Sequence, residues 1–165
     1  MTEKIKPILA ATCGNVDAGD DAFGPAVGRA VAAMGLAGVE VVDLDIRPTA
    51  VLDHLAGRQA LVIVDALEMP GQVGQLVDVD WFDPDRPVLI DDDTMSSHGL
   101  SLGNQLDLAR QLGMLPKTVR LIGVGIGSAE IGGAMSEMVR QQVDRAAAKV
   151  AGYCRAWASA SDPRK

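Results

Sequence analysis

Two carboxylates and one imidazole carry the chemistry that this 165-residue chain could perform. Asp21 lies in the Gly-rich stretch Cys13-Gly14-Asn15-Val16-Asp17-Ala18-Gly19-Asp20-Asp21-Ala22-Phe23-Gly24. Asp65 follows the apolar run Leu61-Val62-Ile63-Val64, and His98 closes Met95-Ser96-Ser97-His98. Carboxylate, carboxylate and imidazole together form an ordinary ligand set for a divalent transition metal. Each residue also has a plainer reading. Asp20 or Asp21 would cap a helix and complement its dipole, and His98 would be a surface or capping histidine. Asp65 is the firmest placement: an acid after four apolar residues belongs at a strand tip, where water or a ligand satisfies it.

Other chemistries find less support. Gly14, Gly19 and Gly24 are spaced too widely for a dinucleotide fingerprint, and no Walker lysine follows. The chain has no H-E-x-x-H zinc-protease pattern and no G-x-S-x-G elbow. Cys13 could pair with His98 as a nucleophile, but a buried strand cysteine is the simpler reading. His54, within Leu52-Asp53-His54-Leu55, reads as a surface or partly packed side chain.

The elements that must position these groups follow from apolar patterning. Ile8 to Cys13, Val39 to Leu44 and Ala60 to Val64 read as strands. Pro25 to Met34 is a helix with proline in its first turn, and Thr49 is placed to cap a short helix from Ala50 to Leu55. This β-α-β-α-β order implies parallel pairing with right-handed crossovers. Gly74 to Val79 alternates like an edge strand. Ser101 to Leu112 is helical in spacing, Val119 to Val124 is another buried strand, and Ser136 is placed to cap one last helix running through Cys154. Residues 162–165 read as a loose tail. One domain over residues 1–165, a three-layer α/β/α sandwich, accounts for the chain. In such folds functional groups gather beyond the carboxyl ends of the strands.

Composition narrows the partners. A net charge of −7, a pI near 4.7 and only 3% aromatic residues oppose nucleic-acid binding. No apolar run approaches the roughly 20 residues that cross a bilayer. The charged start, Met1 to Pro7, lacks a signal-peptide cleavage region, so a cytoplasmic location is expected. Cys13 and Cys154 are expected as free thiols.

Taken together, the Gly-Asn turn, Asp65, His98, Ile122-Gly123-Val124-Gly125-Ile126-Gly127 and Met135-Ser136-Glu137 resemble the hydrogenase maturation endopeptidases in order and approximate spacing. The resemblance implies a mixed, mostly parallel sheet of about five strands on a phosphorylase/hydrolase-like framework. It implies an endopeptidase, aspartic-type or metal-recognising, that removes the C-terminal extension of a nickel-iron hydrogenase large-subunit precursor after nickel insertion. Asp21, Asp65 and His98 would contact nickel supplied by the substrate, with Asp21 and Asp65 the catalytic candidates and Asp21 favoured as a base. Another divalent metal in the resting enzyme is left open, and a monomer is expected.

Three departures stand out. Asp21 occupies a position that is usually glutamate in that family. Leu44-Asp45-Ile46-Arg47-Pro48-Thr49 replaces a Gly-rich turn, and Ser128-Ala129-Glu130 replaces a Pro-Glu pair. Two alternatives accompany this reading: another metal-dependent hydrolase on the same fold, and a maturation chaperone that binds the precursor without cutting it.

Overall fold

A computed structural model describes residues 4–69, 71–86, 102–127, 129 and 131–160. Five strands form one sheet: β1 (Ile8–Thr12), β2 (Val39–Asp43), β3 (Ala60–Glu68), β4 (Leu76–Asp80) and β5 (Thr118–Ile126). Their order is β2-β1-β3-β5-β4, parallel except for β4, which runs antiparallel to β5 at the edge. The mixed α/β sheet therefore has the expected composition.

The inner strands are apolar at successive positions because both faces of the sheet are covered. On one face, Ile8, Ala10, Val62, Val64, Ile122 and Val124 pack with helix α1 (Phe23–Ala33) and helix α4 (Val143–Ala160). Phe23, Val27 and Val31 of α1 recur every four residues and meet Ala147, Val150 and Cys154 of α4. Burying each of these larger side chains stabilises the fold by about 1.5–3 kcal/mol. On the other face, Leu9, Ala11, Leu61, Ile63 and Leu121 pack with Leu102, Leu106 and Ala109 of helix α2 (Leu102–Gln111). A 3-10 helix, Pro48–His54, adds Val51 to that layer. The three-layer arrangement follows directly from this alternation along the strands.

Several boundaries differ from the sequence reading. Pro48, not Thr49, starts the short helix, because its fixed φ suits the first helical position and its missing N–H leaves nothing unsatisfied. The last helix is broken at Gln141–Gln142 into α3 (Glu137–Arg140) and α4. Strand β3 does not stop at Val64 but continues for four further residues, since β5 is long enough to pair with it through Glu68↔Ile126. The expected tail, 162–165, lies outside the described residues. Among the described residues, no helix is long and apolar enough to cross a membrane.

Candidate active site

The unequal lengths of the central strands create the site. Strand β1 ends at Thr12, level with Val64, whereas β3 runs on with Asp65 paired to Gly123. Asp65 is therefore inside a strand, not at its tip, but its neighbour on the β1 side has ended. Its side chain is half-buried, on the face occupied by Leu61 and Ile63. One carboxylate oxygen accepts a hydrogen bond from the Ala66 N–H at 2.8 Å.

Where β1 stops, the chain enters the Gly-Asn turn. Cys13 N–H donates to the Val64 carbonyl at 2.9 Å and Gly14 N–H to the Asp45 carbonyl at 2.9 Å, so the turn starts tied to both flanking strands. Gly14 has φ +142°, and a Cβ there would lie 2.0 Å from the Asp21 carbonyl oxygen. Gly24 approaches the Cys13 carbonyl just as closely, at 2.1 Å from a built Cβ. Only glycine permits these contacts. They fold residues 14–24 back on themselves and bring a 3-10 helix, Gly19–Ala22, to the sheet edge. Asp21 Oδ2 accepts from the Asn15 N–H at 2.8 Å, which orients that carboxylate.

Neither acid of the turn caps α1. The residue preceding α1 is Ala22, with no side-chain cap, and Asp20 instead reaches across the fold. Its two oxygens accept from the Ser136 N–H at 2.6 Å and the Ser136 hydroxyl at 3.0 Å. Ser136 precedes α3 as expected but makes no side-chain cap to it, because its hydroxyl donates to a carboxylate, the stronger, charge-assisted bond.

The charges of the cluster act on one another unfavourably. Burial, and then the negative charge of Asp21, push the Asp65 carboxyl well above the usual carboxylate range, against the opposing Ala66 hydrogen bond. Burial likewise pushes the Cys13 thiol well up, and the charges of Asp65, Asp43 and Asp21 add to it. Cys13 is thus a buried neutral thiol beside three acids, a poor nucleophile. Asp43, exposed at the end of β2 and level with Thr12, is the acid that sequence reasoning left without a role at this edge.

Asp21 lies near enough to Asp65 for its charge to act on that carboxyl. His98 lies outside the described residues. Among the described residues, no group of three or more His, Cys, Asp or Glu side chains is placed to hold a metal ion. Each of the two carboxylates has an oxygen free of the backbone hydrogen bonds described above, and neither forms an ion pair among the described residues. His54, by contrast, is partly buried in the Pro48–His54 helix, its carbonyl accepting from Arg58 Nε at 2.8 Å.

Comparison with known proteins gives a consistent result. The family model HycI, described as hydrogenase maturation protease, matches residues 26–152. Among solved structures, the hydrogenase maturating endopeptidase HybD from E. coli is 27% identical, with 90% of this chain and 91% of that chain covered and a TM-score of 0.73. The [NiFe] hydrogenase maturation protease HycI from Thermococcus kodakarensis KOD1 is 25% identical, covering 91% and 93%, with a TM-score of 0.71. A hydrogenase 2 maturation peptidase from Thaumarchaeota archaeon SCGC_AB-539-E09 is 29% identical, covering 88% and 95%, with a TM-score of 0.64. No curated protein sequence matches the chain.

Proposed function

Because this chain belongs to the hydrogenase maturation protease family, we propose that it removes the C-terminal extension of a nickel-iron hydrogenase large-subunit precursor once nickel is inserted. The observation that carries this reading is the placement of Asp65 at the sheet edge where β3 outruns β1, within range of the charge of Asp21.

In this reading Asp21, Asp65 and His98 contact nickel that arrives in the precursor, so the metal marks a substrate ready for cutting. A favourable contact between two crowded carboxylates and a divalent ion relieves their mutual repulsion. The placement of α2 supports a contribution from His98. Leu102, the first residue of α2, packs on the same face of the sheet as Leu61 and Ile63, the face that carries Asp65. Three residues separate His98 from Leu102 in the sequence, so the four chain steps between them span at most about 14 Å. Two routes to cleavage stay open in this reading: Asp21, held by the Asn15 N–H, would act as base for the attacking water, or the substrate's nickel would polarise the scissile carbonyl. An aspartic-type mechanism, a monomeric state and action in the cytoplasm belong to this proposal.

Incubation with nickel-loaded and nickel-free precursor, followed by intact mass, tests it. The nickel-loaded precursor loses its extension and the nickel-free precursor does not. Cleavage of both alike sinks the metal-recognition part, and cleavage of neither sinks the protease reading.

A further inference from the structure

The geometry points to Asp20 and Ser136 as positioning residues that aim the Asp21 carboxylate. This inference rests on the protease reading, and deepens it by naming what holds its first acid in place. A 3-10 helix has about three residues per turn, so adjacent side chains diverge by about 120°. Asp20 and Asp21 therefore face different ways. Asp21 is directed to the edge beside Asp65, while Asp20 turns to a segment 116 positions further along the chain.

What it meets there is firmly anchored. Ser136 leads into α3 and α4, whose Val139, Ala146, Ala147 and Val150 are buried in the core shared with α1 and the sheet. Both Asp20 oxygens are engaged by Ser136, at 2.6 and 3.0 Å. A third bond joins the two stretches: Gly132 N–H donates to the Asp17 carbonyl at 2.6 Å. Between turn and segment runs a groove of about 490 Å3, lined by Val16, Gly19 and Ala22 on one side and Gly133 and Ala134 on the other. The Asp17 and Asp20 bonds join the same two stretches of chain.

The rest of the turn is held mainly by its own backbone: Ala18 N–H to the Asn15 carbonyl at 3.2 Å, Asp21 N–H to the Ala18 carbonyl at 3.1 Å, and Asn15 N–H to Asp21 itself. These bonds close the turn on itself, whereas the clasp to Ser136 ties its Asp20–Asp21 step to a segment anchored in the core, which fixes the direction of the adjacent Asp21 carboxylate. A shift on the order of 1 Å in a reacting group lowers turnover about 100-fold, so the clasp should act on the chemical step and not on precursor affinity.

Asp20→Ala, Asp20→Asn, Ser136→Ala and the Asp20→Ala/Ser136→Ala pair are compared in the full chain, below the melting temperature of every variant. Asp20→Ala should lower kcat on nickel-loaded precursor by about 10- to 100-fold with KM unchanged. Asp20→Asn keeps an oxygen for the Ser136 N–H and should recover most of the loss, and the pair should be no worse than Asp20→Ala alone. Hydrogen exchange supplies a readout independent of cutting: Asp20→Ala should speed exchange of residues 15–22 while leaving that of α4 unchanged. Parent-rate turnover by Asp20→Ala, a loss confined to KM, or unaltered exchange at residues 15–22 overturns the inference. If the parent leaves the precursor intact, the protease reading fails, and exchange alone decides whether the clasp orders the turn.

Discussion

Asp65 lies level with Gly123 across the β3–β5 ladder, one position past Thr12↔Val64, the last pair that β3 makes with β1. A side chain at 123 would put its Cβ 2.7 Å from Leu67 Cδ1. Leu67 packs on the face that carries Asp65, and the bare position at 123 leaves room for it beside a ladder that stays paired as far as Glu68. Asp65 is thereby held in a continuous ladder on one side while its other side opens toward the turn that carries Asp21.

Asp65→Asn should lower precursor processing by at least about 100-fold, the scale of a lost acid–base or metal-contacting group. The same change should raise the stability of the metal-free protein at neutral pH. The carboxyl of Asp65 is pushed up in the folded state by burial and then by Asp21, so relative stability is lost as pH rises from the ordinary carboxylate value, about 4, through the folded value. Melting curves across pH should therefore coincide in acid and separate toward neutrality, with the Asn variant higher. A parent that is more stable than Asp65→Asn at neutral pH contradicts this account.

Gly14→Ala should unfold or severely destabilise the turn, by about 3 kcal/mol or more from the conflict with the Asp21 carbonyl and a strained φ of +142°. Gly152→Ala should do the reverse. It lies within α4 with nothing within 4 Å of a built Cβ, and gains about 0.5–1 kcal/mol of helix propensity. Chemical denaturation of both variants measures the contrast.

Asp78 should contribute acid-sensitive stability. Burial alone would push its carboxyl up, but hydrogen bonds from Arg120, Tyr153 and Lys149, at 2.8, 2.8 and 3.2 Å, hold it below the ordinary value. A carboxyl lowered in the folded state stabilises above its unfolded pKa, and that contribution is lost as pH falls through the folded one. Asp78→Ala should cost about 1–2 kcal/mol at pH 7 after allowance for solvent screening of this partly exposed group. The deficit should shrink below about pH 4; a deficit constant with pH would mean that packing, not charge, is what was lost.

Cys13 should resist thiol reagents in the folded protein, and Cys13→Ala should keep processing within about threefold of the parent, since a buried neutral thiol is no nucleophile. Rapid labelling of Cys13 under native conditions, together with loss of cutting on alkylation, would restore a cysteine mechanism.

Much of this framework could be read from patterning. The unbroken apolar runs Ile8 to Ala11 and Leu61 to Val64 mark sheet positions covered on both faces, and chain order alone puts Asp21 and Asp65 at one edge. The extension of β3 was not legible, because Ala66-Leu67-Glu68 suits a strand or a loop equally, and the length of β5 decides between them. The roles of Asp20 and Ser136 were hidden for a related reason. Each has a local capping preference, and only tertiary proximity gives each a better partner in the other. His98, outside the described residues, stays an expectation drawn from its place before α2.

The glycines at 14 and 24 have a consequence for how this scaffold can vary. With carbonyl oxygens about 2 Å from where their side chains would begin, the segment between them has no slack to take up an insertion or a bulkier residue. Adaptation to a new protein substrate must fall to the exposed stretches nearby, Asp45 to Arg47 and Ile131 to Ala134. The acid-bearing loop works as a fixed jig, and the walls around it are free to be recut.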